Sequence, residues 1–186
     1  MINNFQFSIF NFQKKGFTLV ETMVAITILT LAISGAFFTA NSAMVASNIA
    51  RDQLTASYLA QEGIEYVRMM RDNEYLAAYN SPTHDTTNAW ANFLNPITAT
   101  CSTSCQFDPA DNSLHICSGD GCSVLWLAST NIYTQRQATG VATQFTRTIR
   151  ATPVTDKDEK IVSTVKWNFH NTQYSVTVID HLTPWQ

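Results

Sequence analysis

Residues 14–33 read Lys14-Lys15-Gly16-Phe17-Thr18-Leu19-Val20-Glu21-Thr22-Met23-Val24-Ala25-Ile26-Thr27-Ile28-Leu29-Thr30-Leu31-Ala32-Ile33. A basic pair is set directly against an apolar run, and after Glu21 no charged residue occurs before Arg51. A helix over 17–40 reaches about 36 Å at helical rise, enough to cross a hydrocarbon core of roughly 30 Å. The threonines do not forbid this, because their hydroxyls can return to backbone carbonyls one turn back. A lone carboxylate in such a helix costs roughly 2.5–3.5 kcal/mol near a bilayer centre and less toward the interface, so Glu21 calls for a cationic partner. A free amino group on Phe17 of a neighbouring chain meets that need.

The remainder of the 186 residues fits one ordinary domain. Charged residues make up 13% of the chain, while 24 Thr, 14 Ser and 14 Asn supply a mostly neutral hydroxyl and amide surface. A formal net charge of -3 argues against a general nucleic-acid binder, which carries a basic footprint. With 6 Gly and 5 Pro, the chain is neither collagen-like nor a Gly/Pro-rich disordered segment.

The junction at Gly16 carries a specific resemblance. Gly16-Phe17-Thr18-Leu19-Val20-Glu21 resembles the processing motif of type IV prepilins and pseudopilins at every position, and the apolar helix behind it matches in length and character. The resemblance implies cleavage after Gly16 by a prepilin peptidase that reads the Lys14-Lys15 leader pair, N-methylation of Phe17, and assembly into a helical filament with Glu21 directing subunit docking. Residues 1–16 are then a leader to be removed. The implied partners are other pilin or pseudopilin subunits, the peptidase/methyltransferase, an inner-membrane assembly platform and the lipid bilayer. The implied location is the inner membrane before assembly and an extracytoplasmic filament afterwards.

Beyond residue 40 the helical pattern continues without a proline until Pro82. Ala43, Ala46, Ala50, Leu54, Ser57, Ala60, Ile64 and Val67 recur at spacings of three and four, predicting an apolar face that needs a cover. Along the surface, Glu65–Arg68, Arg68–Asp72 and Arg71–Glu74 have the spacing of helical ion pairs. One helix from Phe17 to near Ala77 follows, with 17–40 as the membrane and assembly segment and 41–78 as its extracytoplasmic half. Gly35 and Gly63 are its weak points. The stretch Leu59-Ala60-Gln61-Glu62-Gly63-Ile64-Glu65-Tyr66-Val67-Arg68, continued by Arg71-Asp72-Asn73, is also similar to minor pilins of the PilV type.

Residues 79–186 form the head. Its first part, 79–100, is polar and punctuated by Ser81-Pro82 and Asn95-Pro96, which predicts a surface loop with one short helical turn over 90–94. Cys101, Cys105, Cys117 and Cys122 follow within 101–122. In an extracytoplasmic compartment they are disulfides rather than a zinc site. Pairing Cys105 with Cys117 and Cys101 with Cys122 nests both bridges around a turn near Asp111; two local loops, 101–105 and 117–122, are the alternative. Asp108, Asp111 and Asp120 lack calcium-loop spacing and read as turn acids.

From about 143 to 182 the chain predicts antiparallel sheet. Phe145 to Ala151 is one strand, Ile161, Ser163, Val165, Trp167 and Phe169 alternate along a second, and Tyr174, Val176, Val178 and Leu182 along a third. Asp156-Lys157-Asp158-Glu159 is a charged turn between the first two. The fold class is α+β: a long N-terminal helical spine, membrane-spanning in its first half, packed on a C-terminal antiparallel β-sheet, as the pilin resemblance also implies.

No nucleophile elbow, zincin, phosphate-loop or dinucleotide pattern is present. His84, His115, His170 and His181 lack ligand spacing, and Arg147, Arg150, Lys157, Lys160 and Lys166 read as cations on a solvated sheet face. The reading is a non-enzymatic structural subunit without metal or cofactor, a minor pilin of a type IV pilus. Its alternatives are a pseudopilin of a type II secretion system and a pilus-tip adhesin using loops 79–126, with Trp90, Trp126 and Tyr133 as anchors.

Overall fold

The computed structural model describes residues 16–109, 113–117, 121–135 and 140–185. The chain divides into two units, Met1–Ser47 and Asn48–Gln186. Helix α1, Leu19–Tyr79, runs through 61 residues and ends just ahead of Ser81-Pro82, where the residue before proline is pushed out of helical geometry. Helix α2 is Ala89–Cys101, and the strands are β1 Cys105–Asp108, β2 Ser113–Ile116, β3 Val124–Ala128, β4 Tyr133–Thr134, β5 Gly140–Thr155, β6 Asp158–Phe169 and β7 Thr172–Leu182.

All seven strands belong to one antiparallel sheet whose central member is β5. One edge of β5 pairs with β6 from Thr146↔Lys166 to Thr155↔Asp158; the other pairs with β3 and, through Cys105↔Ile149, with β1. His170 and Asn171 join β6 to β7 with φ of 47° and 62°. Positive φ at both central residues is the primed two-residue turn that matches the twist of a hairpin. The alternation predicted for β6 is present, with Ile161, Ser163, Val165 and Trp167 all buried. The charged turn is shorter than expected. Only Asp156 and Lys157 lie between the strands, whereas Glu159 sits in β6 at 1% exposure, where burial pushes its carboxyl above the usual carboxylate range.

Within Asn48–Gln186, α1 covers this sheet through two apolar clusters. Ile64, Tyr66 and Val67 pack with Phe93, Ile97, Ile149, Ala151 and Ile161, while Ala56, Leu59 and Ala60 pack with Leu125, Phe145, Val165 and Trp167. The buried stripe is rotated from the predicted one: Ala60, Ile64 and Val67 face inward as expected, but Ala50 and Leu54 are exposed and Asp52 and Ala56 take their place. Asp52 is tolerated there because Gln144 Nε2 donates to its carboxylate at 2.8 Å. Of the expected ion pairs Glu65–Arg68 forms, at 2.6 Å, but Arg68 then reaches across to Asp180 rather than to Asp72, and Arg71 pairs with Asp72 rather than with Glu74. For Arg68 a carboxylate of β7 thus replaces the helical neighbour, whereas Arg71 takes the adjacent carboxylate on its own helix.

The segment read as a loop contains a 13-residue helix, α2, that runs through Pro96. Ala89, Phe93, Ile97 and Cys101 are its buried face, and burying four residues at i,i+4 spacing outweighs the missing amide of one proline. The cysteines pair locally, Cys101 with Cys105 and Cys117 with Cys122, so the nested pairing is not the one formed. The β-hairpin expected around 109–112 does exist, but its register sets Cys105 opposite Ile116, and the turn from α2 into β1 has already brought Cys101 to 4.7 Å from Cys105, Cα to Cα.

Two measurements test this arrangement. The chain contains a single Asp-Pro bond, Asp108–Pro109, between the two bridges. Mild acid cleavage there without reductant should release two separate chains; nested bridges would hold them together. At Gly63 an added Cβ would lie 2.6 Å from Ser163 Oγ, so Gly63→Ala should lower unfolding stability by about 1–3 kcal/mol despite the better helix propensity of alanine. In a Ser163→Ala background that cost should largely vanish in denaturant titrations.

Candidate functional site

The residues singled out at the N-terminus lie in the first unit. Gly16, Phe17 and Thr18 precede α1 in a non-helical stretch, all exposed, and nothing approaches within 4 Å of a Cβ built on Gly16. An exposed, non-helical peptide bond is what a protease can draw into its cleft. Lys14 and Lys15 fall outside the described residues.

Thr18 begins the helix. Its Oγ1 accepts the amide of Glu21 at 3.3 Å and its carbonyl accepts the amide of Thr22 at 3.2 Å, the geometry of an N-cap. The signal for this was present as Thr18-x-x-Glu21, the spacing of a capping box, and sequence reasoning passed over it. Glu21 therefore stands in the first turn, where the unpaired amides of a helix N-terminus favour negative charge.

Every residue from Gly16 to Met44 is exposed within the structure, including Phe17, Ile28, Leu31, Phe37 and Phe38. The hydroxyls from Thr22 to Thr39 are satisfied within the helix. Thr22, Thr27, Thr30 and Ser34 donate to the carbonyls of Leu19, Val24, Thr27 and Thr30 at 2.6–2.9 Å, and Thr39 donates to Ala36 O at 2.9 Å. What remains on the outside is hydrocarbon, and α1 is long and apolar enough to cross a membrane.

The head holds a second polar centre that sequence reasoning misread. Arg147, expected on a solvated face, is fully buried, and donates to Leu59 O at 3.2 Å, to Phe107 O at 3.2 Å and to the Glu62 carboxylate. Its guanidinium lies 5.0 Å from the centroid of the Phe107 ring. Burial pushes the Arg147 pKa down and Glu62 works against that. This is a structural tie between α1 and β5, with no open cavity at the guanidinium for a reactant. The proposed adhesive anchors are partly packed: Trp90 against Phe93 and Tyr133 against the cluster around Leu125, with the Trp90 indole donating to Asp156 O at 2.9 Å. The histidines stand apart, His181 beside Asp158 and His115 beside Ser113. Among the described residues no group of three His, Cys, Asp or Glu side chains converges.

The cap generates a prediction. Thr18→Ala should raise amide hydrogen exchange at Glu21 roughly fivefold, the equivalent of about 1 kcal/mol of capping, while leaving exchange at Ala60 and Ile64 unchanged.

Residues 11–37 match the family model described as the prokaryotic N-terminal methylation motif. No curated protein and no solved structure matches the chain. The motif implies processing by a prepilin peptidase and assembly with other pilins, and it includes the start of the exposed apolar helix whose later residues pack on an antiparallel sheet. On these observations the chain carries a prepilin-type N-terminal methylation motif that leads into a long apolar helix, and its α+β architecture is pilin-like.

Proposed function

We propose that the protein is a minor pilin, a structural subunit that enters a type IV pilus through its N-terminal helix. The observation that carries this is the wholly exposed, largely apolar stretch from Phe17 to Met44, most of which lies within the methylation motif of residues 11–37: such a surface needs lipid before assembly and neighbouring helices after it. Cleavage falls between Gly16 and Phe17, residues 1–16 are discarded, and the new Phe17 amine is methylated. An N-methylated amine remains basic and keeps its positive charge. Glu21 of one subunit then pairs with Phe17 of the next, which gives assembly a direction that hydrocarbon contact alone lacks. The similarity of 59–73 to PilV-type sequences supports a minor rather than a major subunit. A pseudopilin of a type II secretion system shares the processing chemistry, and recovery of the protein from sheared surface pili distinguishes the two.

Intact-mass analysis of filament material should show a chain beginning at monomethylated Phe17. Glu21→Ala should insert in the membrane at normal levels and be recovered in sheared filaments at about a tenth of the wild-type yield or less. Should Glu21 act only on its own helix N-terminus, the substitution would cost about 0.3–1 kcal/mol and incorporation would be little changed.

A further inference from the structure

The second unit carries a concave surface that neither the methylation motif nor the packing of the head uses. A cavity of about 500 Å³ opens at the C-terminal end of α1, lined by Asp72, Asn73, Tyr75, Tyr79, Thr86 and Trp185, with Leu76 closing one side. That volume lies within the range of small-ligand pockets. Its aromatic wall is held in place. Arg71 Nη1 donates to Thr183 O at 3.3 Å, tying the tail to the helix, and the Trp185 ring stacks on the nearly buried Tyr75 with centroids 5.6 Å apart and planes 16° apart. Trp185 itself remains 56% exposed and Tyr79 63% exposed, so an aromatic face is presented to solvent on an immobilised support.

The polar side of the cavity decides what chemistry it fits. Among the described residues Asp72 is its one charged lining residue, and Arg71 already bonds one carboxylate oxygen through Nε at 2.9 Å and Nη2 at 2.8 Å. The site is thereby close to electrically neutral, which disfavours a quaternary ammonium, the ligand that aromatic rings beside an unpaired carboxylate would suit. The second Asp72 oxygen accepts, the Asn73 amide both donates and accepts, and the Thr86 hydroxyl does either. A flat aromatic platform with neutral two-way hydrogen-bonding groups at its rim matches a pyranose ring, whose C–H face stacks on aromatic carbon while its hydroxyls meet the rim. We propose that this cavity is a binding site for a neutral carbohydrate, with Trp185 as the stacking surface and Asp72, Asn73 and Thr86 as hydroxyl partners. The site lies in the head and is independent of how the N-terminal helix is used.

The test uses the full chain in a detergent free of sugar and choline headgroups. Methyl β-D-glucopyranoside, methyl β-D-galactopyranoside and methyl α-D-mannopyranoside are titrated while tryptophan fluorescence and saturation-transfer NMR are recorded. At least one should give a saturable response, weakened about tenfold or more in Trp185→Ala, weakened several-fold in Asn73→Ala and unchanged in Tyr58→Phe, an exposed residue outside the cavity. Trp185 is more than half exposed, and far-ultraviolet circular dichroism checks that its variant folds. The proposal is overturned by the absence of a saturable response to all three pyranosides, by an equal response in Trp185→Ala, or by a response to choline chloride alone.

Discussion

The head depends on how closely α1 can lie against the centre of its sheet, and that distance is set where Gly63 meets Ser163. A single methyl group at position 63 would fall inside the contact radius of Ser163 Oγ and against Arg147 and Ile149. Because the helix comes this close, Arg147 can place its guanidinium on Leu59 O and on Glu62. The strand register sets Arg147 and Ser163 between the two apolar clusters, so a polar layer crosses the middle of an otherwise hydrocarbon interface. Buried ion pairs add little net stability after desolvation, whereas losing one partner is expensive. The layer therefore acts on register more than on total stability. Sliding the helix by one turn, about 5.4 Å, would set Leu59 or Val67 against Ser163 and take Glu62 away from Arg147.

The first unit obeys a different constraint, one of solvation rather than fit. Its side chains from Phe17 to Ala40 have no protein cover, so this stretch must leave few polar atoms unpaired in whatever apolar medium surrounds it. Thr and Ser meet that condition by bonding three or four residues back. Glu21 cannot, since a carboxylate offers no proton to a backbone carbonyl. It is tolerable only near the helix start, where Thr18 caps the first turn and where a cation can approach from outside the helix.

Features carried by periodicity over many residues were legible in the sequence. The charge-free window, the long helix and the alternation of 161–167 each repeat a pattern often enough to exclude the competing element. What was misread shares a different property: the answer lay in a tertiary partner. Arg147 looks like any exposed strand cation until Glu62 and two carbonyls are known to converge on it. Leu54 fits an apolar stripe as well as Ala56 does, and the inward face is settled by sheet partners, among them Phe145 and Val165 beside Ala56 and Leu59 and Gln144 bonded to Asp52. In α2, Pro96 and the neutral polar residues around it conceal the spacing of Ala89, Phe93, Ile97 and Cys101. The N-cap at Thr18 needed no tertiary knowledge and was simply passed over.

The local cysteine pairing changes what the bridges can do. Loops of four and five residues in separation remove about 2 kcal/mol of unfolded-state entropy each, against roughly 3 kcal/mol for the longer nested loops. Neither bridge links β5, β6 or β7 to one another or to α1, so the packing of α1 on those strands is not held by a covalent cross-link, although Cys101 and Cys105 share its apolar cluster. They act instead on the segment 101–122, whose strands β1 and β2 have four residues each and are too short to pair durably alone. One bridge fixes the exit of α2 to the start of β1, with both sulfurs inside the apolar cluster around Phe93 and Ile149. The other closes the chain where β2 ends. Within one sheet the head thus combines long strands β5, β6 and β7, stable through burial under the helix, with a short-stranded segment that is stable through cross-links, and the two meet at Cys105, which is at once a disulfide partner, a core residue and the β-bridge to Ile149.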